Sequence, residues 1–97
     1  MFRHVIMFRW KDDATEQQKQ AVRDGLAGLP EHIPEIRSWH FGDDVGLYPE
    51  SYHFALIADF DTVDDYIIYR DHPVHLQMIA DHVTPILVQY IRAQYEW

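Results

Sequence analysis

A chain of 97 residues holds one domain with a single core, and 47% apolar residues place it outside the disordered class. Sixteen acidic against eight basic residues give a net charge of -8, which repels phosphate backbones and anionic bilayers, so neither nucleic acid nor membrane is an expected partner. There is no cysteine, which excludes disulfides, thiolate nucleophiles and Cys-ligated metals and leaves seven histidines for chemistry near neutral pH.

The segment Met1-Phe-Arg-His-Val-Ile-Met-Phe-Arg-Trp10 is broken by charge too early for a signal-peptide apolar region, and no apolar run reaches the ~18 residues of a membrane span. The cytoplasm is the default expectation. Arg3 to Trp10 reads as a strand with His4, Ile6, Phe8 and Trp10 on one face and Val5 and Met7 on the other. Thr15 to Leu29 reads as a helix. Thr15 and Gln18 have capping-box spacing, Val22, Leu26 and Leu29 form the apolar stripe, and Gly28 and Pro30 are expected to stop it.

Glu35 to Phe41 is the second expected strand, followed by a turn-rich loop from Gly42 to Pro49, and Ser51 to Phe60 is the third. Thr62 caps a helix from Val63 to about Asp71, with acidic residues suiting its first turn. Pro73 opens a further helix to about Val83. Ile86 to Trp97 is the last strand. The order β-α-β-β-α-β, with the second helix broken at His72-Pro73, predicts one α+β, ferredoxin-like sandwich over residues 1–97. Its helices cover one sheet face, while Val5, Met7, Ala55 and Ile57 make the other face apolar. A second copy would cover it, so a homodimer packed sheet to sheet, a dimeric α/β barrel, is expected.

Tyr66-Ile-Ile-Tyr69-Arg-Asp-His72-Pro73-Val-His75 is the most distinctive run. Pro73 biases His72 toward an extended conformation, so His72 sits at the break and His75 in the next helical turn. His75, Met78, Ile79 and His82 share one helical face, otherwise apolar and expected to point inward. Burial favours a neutral imidazole, and such a base near a Tyr hydroxyl can abstract an acidic carbon-bound proton while the hydroxyl holds the oxyanion.

The chain resembles the stress-responsive dimeric α/β-barrel (Dabb) domain family along nearly its whole length. The matching features are Arg3-His-Val-Ile-Met-Phe8, Ile33-Pro34, Phe41-Gly42-Asp43-Asp44, the strand Tyr52 to Phe60, and Tyr69-x-x-His72-Pro73-x-His75. The resemblance implies a ferredoxin-like protomer and a barrel formed across a dimer. A plant polyketide cyclase of this family closes a poly-β-ketide by aldol condensation without metal or organic cofactor. By that match Tyr69 is the orienting hydroxyl and His75 the general base. A histidine on that enzyme's first strand corresponds to His4, and a pocket tyrosine on its first helix to Leu26, where this sequence departs. The substrate-binding candidates are therefore His4, Leu26, His72, Met78 and Ile79, with His72 read mainly as fixing the helix break.

No cofactor is expected, and no third ligand beside His72 and His75 points to a metal. The magnesium that some plant members hold by main-chain carbonyls would correspond to Pro30, Ile33 and Ile36. No residue singles out an axial haem ligand, which puts an oxygenase reading last. Asp59, Asp61, Asp64 and Asp65 read as a helix start and a solvated turn. Two functions remain: a cofactor-free cyclase or isomerase acting on a small apolar, carbonyl-containing molecule, or a small-molecule-binding or stress-response protein without turnover.

Overall fold

A computed structural model describes all residues, Met1–Trp97. Four strands, β1 (Phe2–Trp10), β2 (Ser38–Asp43), β3 (Phe54–Phe60) and β4 (Leu87–Glu96), form one antiparallel sheet in the order β2-β3-β1-β4. The helices α1 (Glu16–His32), α2 (Val63–Asp71) and α3 (Pro73–Met78) lie on one face. This is the ferredoxin-like arrangement expected from the element order. No helix is long and apolar enough to cross a membrane.

The period-two pattern decides the two faces. His4, Phe8, Trp10, Phe54, Leu56, Ala58 and Phe60 are buried toward the helices, where Val22, Leu26 and Leu29 of α1 meet them. On the opposite face, Val5 sits between Ala93 and Ile57, and Met7 between Ile91 and Ala55. These two apolar rungs have no helix over them, and Met7 and Ile91 are exposed.

Three expectations are corrected, besides the start of β2. Helix α1 does not stop at Leu29 but runs through Pro30 to His32. Proline lacks the N–H that would bond the Leu26 carbonyl, and the Trp39 indole Nε1–H donates to that oxygen instead, at 3.0 Å. The break is thereby repaired from β2, which itself begins at Ser38 rather than Glu35. Asp59 is not part of a solvated turn. It is 5% exposed, and the Arg3 guanidinium grips it with two bonds of 2.7 and 2.8 Å.

The third correction concerns the segment after Pro73. Helix α3 is only six residues long and passes into a π-helical turn, Ile79–Val83, then a 3-10 turn, Thr84–Ile86. The face expected to hold His75, Met78, Ile79 and His82 therefore divides. His75, Ile79 and Val83 turn toward the sheet, while Met78 and His82 turn toward α1. Gly25 permits that approach, since a Cβ there would lie 2.9 Å from the Met78 Cγ.

Candidate active site

Between the sheet and the α2–α3 break lies a partly enclosed cavity of about 210 Å³. Its walls are mainly apolar, from Ile6 and Phe8 on β1, Leu26 on α1 and Ile79 and Val83 beyond α3. Its polar groups are few: His4, Tyr66, Tyr69, Arg70, His75, Tyr90 and Arg92. Apolar walls with a few convergent polar groups are the usual character of a ligand site. Three larger depressions are more open clefts: about 550 Å³ around Lys11, Lys19 and Arg23, about 500 Å³ between α1 and α3, and about 330 Å³ beside Met7 and Tyr52. In none of the three are most of the lining residues hydrophobic, as they are here.

Local sequence places the polar groups of the cavity. Thr62 caps α2 by accepting the Asp65 N–H at 3.2 Å, which fixes Tyr69 two turns further on. Pro73 holds His72 extended, with φ -63° and ψ 131°, and α2 ends there. The His72 Nδ1 accepts the Val74 N–H at 3.1 Å and so caps α3. His72 is therefore the pin of the break and does not line the cavity. His75 reaches back across the break, its Nδ1 3.0 Å from the Arg70 carbonyl. A carbonyl only accepts, so Nδ1 carries the proton and Nε2 keeps its lone pair.

Tyr69 stands between the two cavity imidazoles, with ring centroids 4.2 Å from His75 and 6.3 Å from His4. Its ring is 4% exposed, and no protein group engages its hydroxyl. Burial raises its pKa, so the hydroxyl stays a donor at neutral pH. Burial lowers the pKa of His75, more than the Arg70 carbonyl restores it, which favours the neutral ring. His4 is pushed down to about 4, first by burial and then by the nearby charge of Arg92. The Gln94 amide nitrogen sits 2.9 Å from the His4 Nδ1, which leaves Nε2–H as the other polar atom of that ring. His4 is thus an uncharged donor and His75 an uncharged acceptor.

Of the residues singled out from sequence, His4, Leu26, Tyr69, His75 and Ile79 line one cavity. Met78 does not, because it packs against Gly25 of α1. Sequence reasoning missed Tyr66, Arg70, Tyr90 and Arg92. Alternation on β4 carried the signal for the last two, because Tyr90, Arg92 and Gln94 pair with Phe8, Ile6 and His4 and share their face. At the magnesium positions the Ile33 carbonyl accepts the Ile36 N–H at 3.2 Å, which leaves that oxygen a second lone pair.

Comparison with known proteins gives this arrangement a family. The chain belongs to the stress responsive A/B barrel domain family, whose model matches residues 2–96. Olivetolic acid cyclase of Cannabis sativa is 29% identical over 79 residues, spanning 76% of this chain and 75% of that enzyme. A dimeric ferredoxin-like protein of unknown function from Thermobifida fusca superposes with a TM-score of 0.90 at 38% identity, over 99% of this chain and 90% of that one. The hydroxynitrile lyase of Passiflora edulis shares the fold, with a TM-score of 0.84 at 21% identity over 97% and 90% of the two chains.

Proposed function

We propose that this chain is a cofactor-independent enzyme of carbon-acid chemistry, a cyclase, lyase or isomerase acting on a small polyketide-like carbonyl compound. The observation that carries the reading is one apolar cavity holding a neutral imidazole acceptor, His75 Nε2, beside two neutral donors, the Tyr69 hydroxyl and His4 Nε2–H. His75 takes a proton from a carbon next to a carbonyl, and the enolate oxygen accepts hydrogen bonds from Tyr69 and His4. In a cyclisation the enolate carbon attacks a second carbonyl of the same molecule. The proton held by His75 then passes to the new alkoxide, so the base is restored and no co-reactant is consumed. The similarity to olivetolic acid cyclase supports this class of reaction. A cavity of about 210 Å³ is smaller than those that hold drug-sized ligands, so the substrate is small.

The working unit in this reading is a homodimer closed over the Val5–Ile57 and Met7–Ala55 rungs, where a lone protomer leaves an apolar sheet face in water. The mainly apolar lining also suits a protein that holds a small molecule without turning it over.

NMR of solvent deuterium exchange into a 1,3-diketone separates the two. An enzyme accelerates exchange at the carbon between the carbonyls, and His75→Ala lowers that acceleration by ~10²–10⁴-fold. A diketone that binds, shifts protein resonances and exchanges only at its background rate overturns the enzyme reading in favour of binding.

A further inference from the structure

The charge at the mouth of the cavity specifies the substrate further, given the proposed reaction. Six arginines occur in the chain. Arg3, Arg23, Arg37 and Arg70 are each ion-paired, to Asp59, to Glu16 and Asp43, to Asp61 and to Asp71. Arg9 donates to the Glu50 carbonyl and lies over the Tyr52 ring. Arg92 alone has no carboxylate or carbonyl partner, and its guanidinium lies 5.3 Å from the Tyr90 ring. In a chain of net charge -8, an unmatched guanidinium is not a matter of too few carboxylates.

Its position is equally particular. Arg92 is paired across the ladder with Ile6, so it projects on the helix-covered face of the sheet and not on the open apolar face. It lines the same cavity as His4, Tyr69 and His75. The second cavity arginine, Arg70, is held by Asp71 through bonds of 2.9 and 3.1 Å and is largely neutralised. The cavity therefore presents one free, planar, two-pronged cation at its rim. Such a group matches a carboxylate, which accepts two parallel N–H bonds.

We propose that the substrate carries a carboxylate and that Arg92 binds it, holding the carbonyl end of the molecule toward His75 and Tyr69. The proposal rests on the reaction class given above and adds the chemical identity of one end of its substrate. It makes a neutral ester or a methyl ketone of the same length a poor substitute, because the guanidinium would be left unmatched.

The test uses 5,7-dioxooctanoate and its methyl ester, which share a 1,3-diketone and differ in charge. Titration calorimetry of the intact protein should show the acid binding at least about tenfold tighter, as expected for hydrogen bonds to a charged group. Raising salt should erode the preference. Arg92→Gln should bring the acid-to-ester ratio close to one, and Arg92→Lys should restore part of it. Equal binding of acid and ester by the unaltered protein, or an unchanged ratio in Arg92→Gln, overturns the proposal. So does loss of the dimer in Arg92→Gln by sedimentation, which would assign the guanidinium to subunit contact. The reaction class fails separately. If the acid binds with the expected preference but exchanges deuterium only at background rate, Arg92 keeps its role and the enzyme reading falls.

Discussion

Acidification should destabilise this protein through His4, and the size of the effect follows from where that ring sits. His4 is 4% exposed, faces Tyr66 and Tyr69, and has its Nδ1 against the Gln94 amide. Burial and Arg92 push its pKa down to about 4 in the folded chain, against an ordinary value of 6.5. A histidine whose folded pKa is depressed binds its proton more readily when unfolded. Its contribution to stability is therefore complete above pH 6.5 and is lost as pH falls toward 4. At pH 5 the unfolded ring is mostly protonated and the folded one mostly is not. The folding equilibrium shifts by a factor of roughly thirty, or about 2 kcal/mol per chain. That is a large part of the 5–15 kcal/mol typical of a domain. Urea unfolding at pH 7.5 and pH 5, at one protein concentration, should show this loss. In His4→Leu the absolute stability changes for packing reasons, but the loss between the two pH values should shrink by about 2 kcal/mol. Comparing the two proteins cancels His75 and the carboxylates. An identical pH loss in His4→Leu and the unaltered protein would refute the argument that this ring is held neutral by its surroundings.

The exchange rate should fall as pH drops through the pKa of His75, which lies below 6.5, because only the neutral ring accepts a proton. Tyr69→Phe should lower turnover with little change in binding, and the double variant with His75→Ala should be scarcely worse than His75→Ala, since both groups serve one step. Met7→Glu places a charge in the centre of the open apolar face. Sedimentation at micromolar concentration should find twice the 11.6 kDa chain mass for the unaltered protein and the single mass for the variant. Trp39→Phe removes the donor to the Leu26 carbonyl and should destabilise by about 1–3 kcal/mol. Adding Pro30→Ala restores an N–H for that carbonyl and should recover part of the loss in thermal unfolding.

The sheet and its faces were legible because alternation at β1 and β3 is regular and depends only on neighbours two residues apart. The cap of α1 at Thr15 and the cap of α2 at Thr62 were legible for the same local reason. The end of α1 was not. Pro30 argues for a stop at short range, and only the Trp39 indole, nine residues further on, removes the reason to stop. The split of the His75 face was hidden too. A π-helical turn leaves no pattern in Ile79–Val83 that distinguishes it from ordinary helix, and Met78 just before it packs against α1 at Gly25. Tyr69, His75 and His4 were found because one run of sequence and one strand face carry them. Arg92 stands on the edge strand β4, where nearly every residue is exposed, and its meaning depends on the cavity it borders and the partner it lacks.

The proposed reaction needs both imidazoles neutral, and the charge on the whole molecule opposes that. A net charge of -8 favours protonation of every histidine. Its carboxylates, however, are spread over the surface, and free ions screen them beyond ~8 Å at physiological ionic strength. Inside the cavity the nearby charge is the Arg92 guanidinium, which acts on His4 across protein and not across water. Burial and that single cation act in the same direction and outweigh the surface. For His75 the Arg70 carbonyl pulls toward protonation, yet desolvation prevails there also. The same hydrogen bond that raises its pKa also fixes the ring and decides which nitrogen stays bare. His4 and His75 are one residue type in one cavity, and what holds Nδ1 sets their tautomers apart: an amide that donates in the first case, a carbonyl that accepts in the second. That difference leaves Nε2 a donor in His4 and an acceptor in His75, so the tautomers follow from two main-chain and side-chain neighbours without any charged partner.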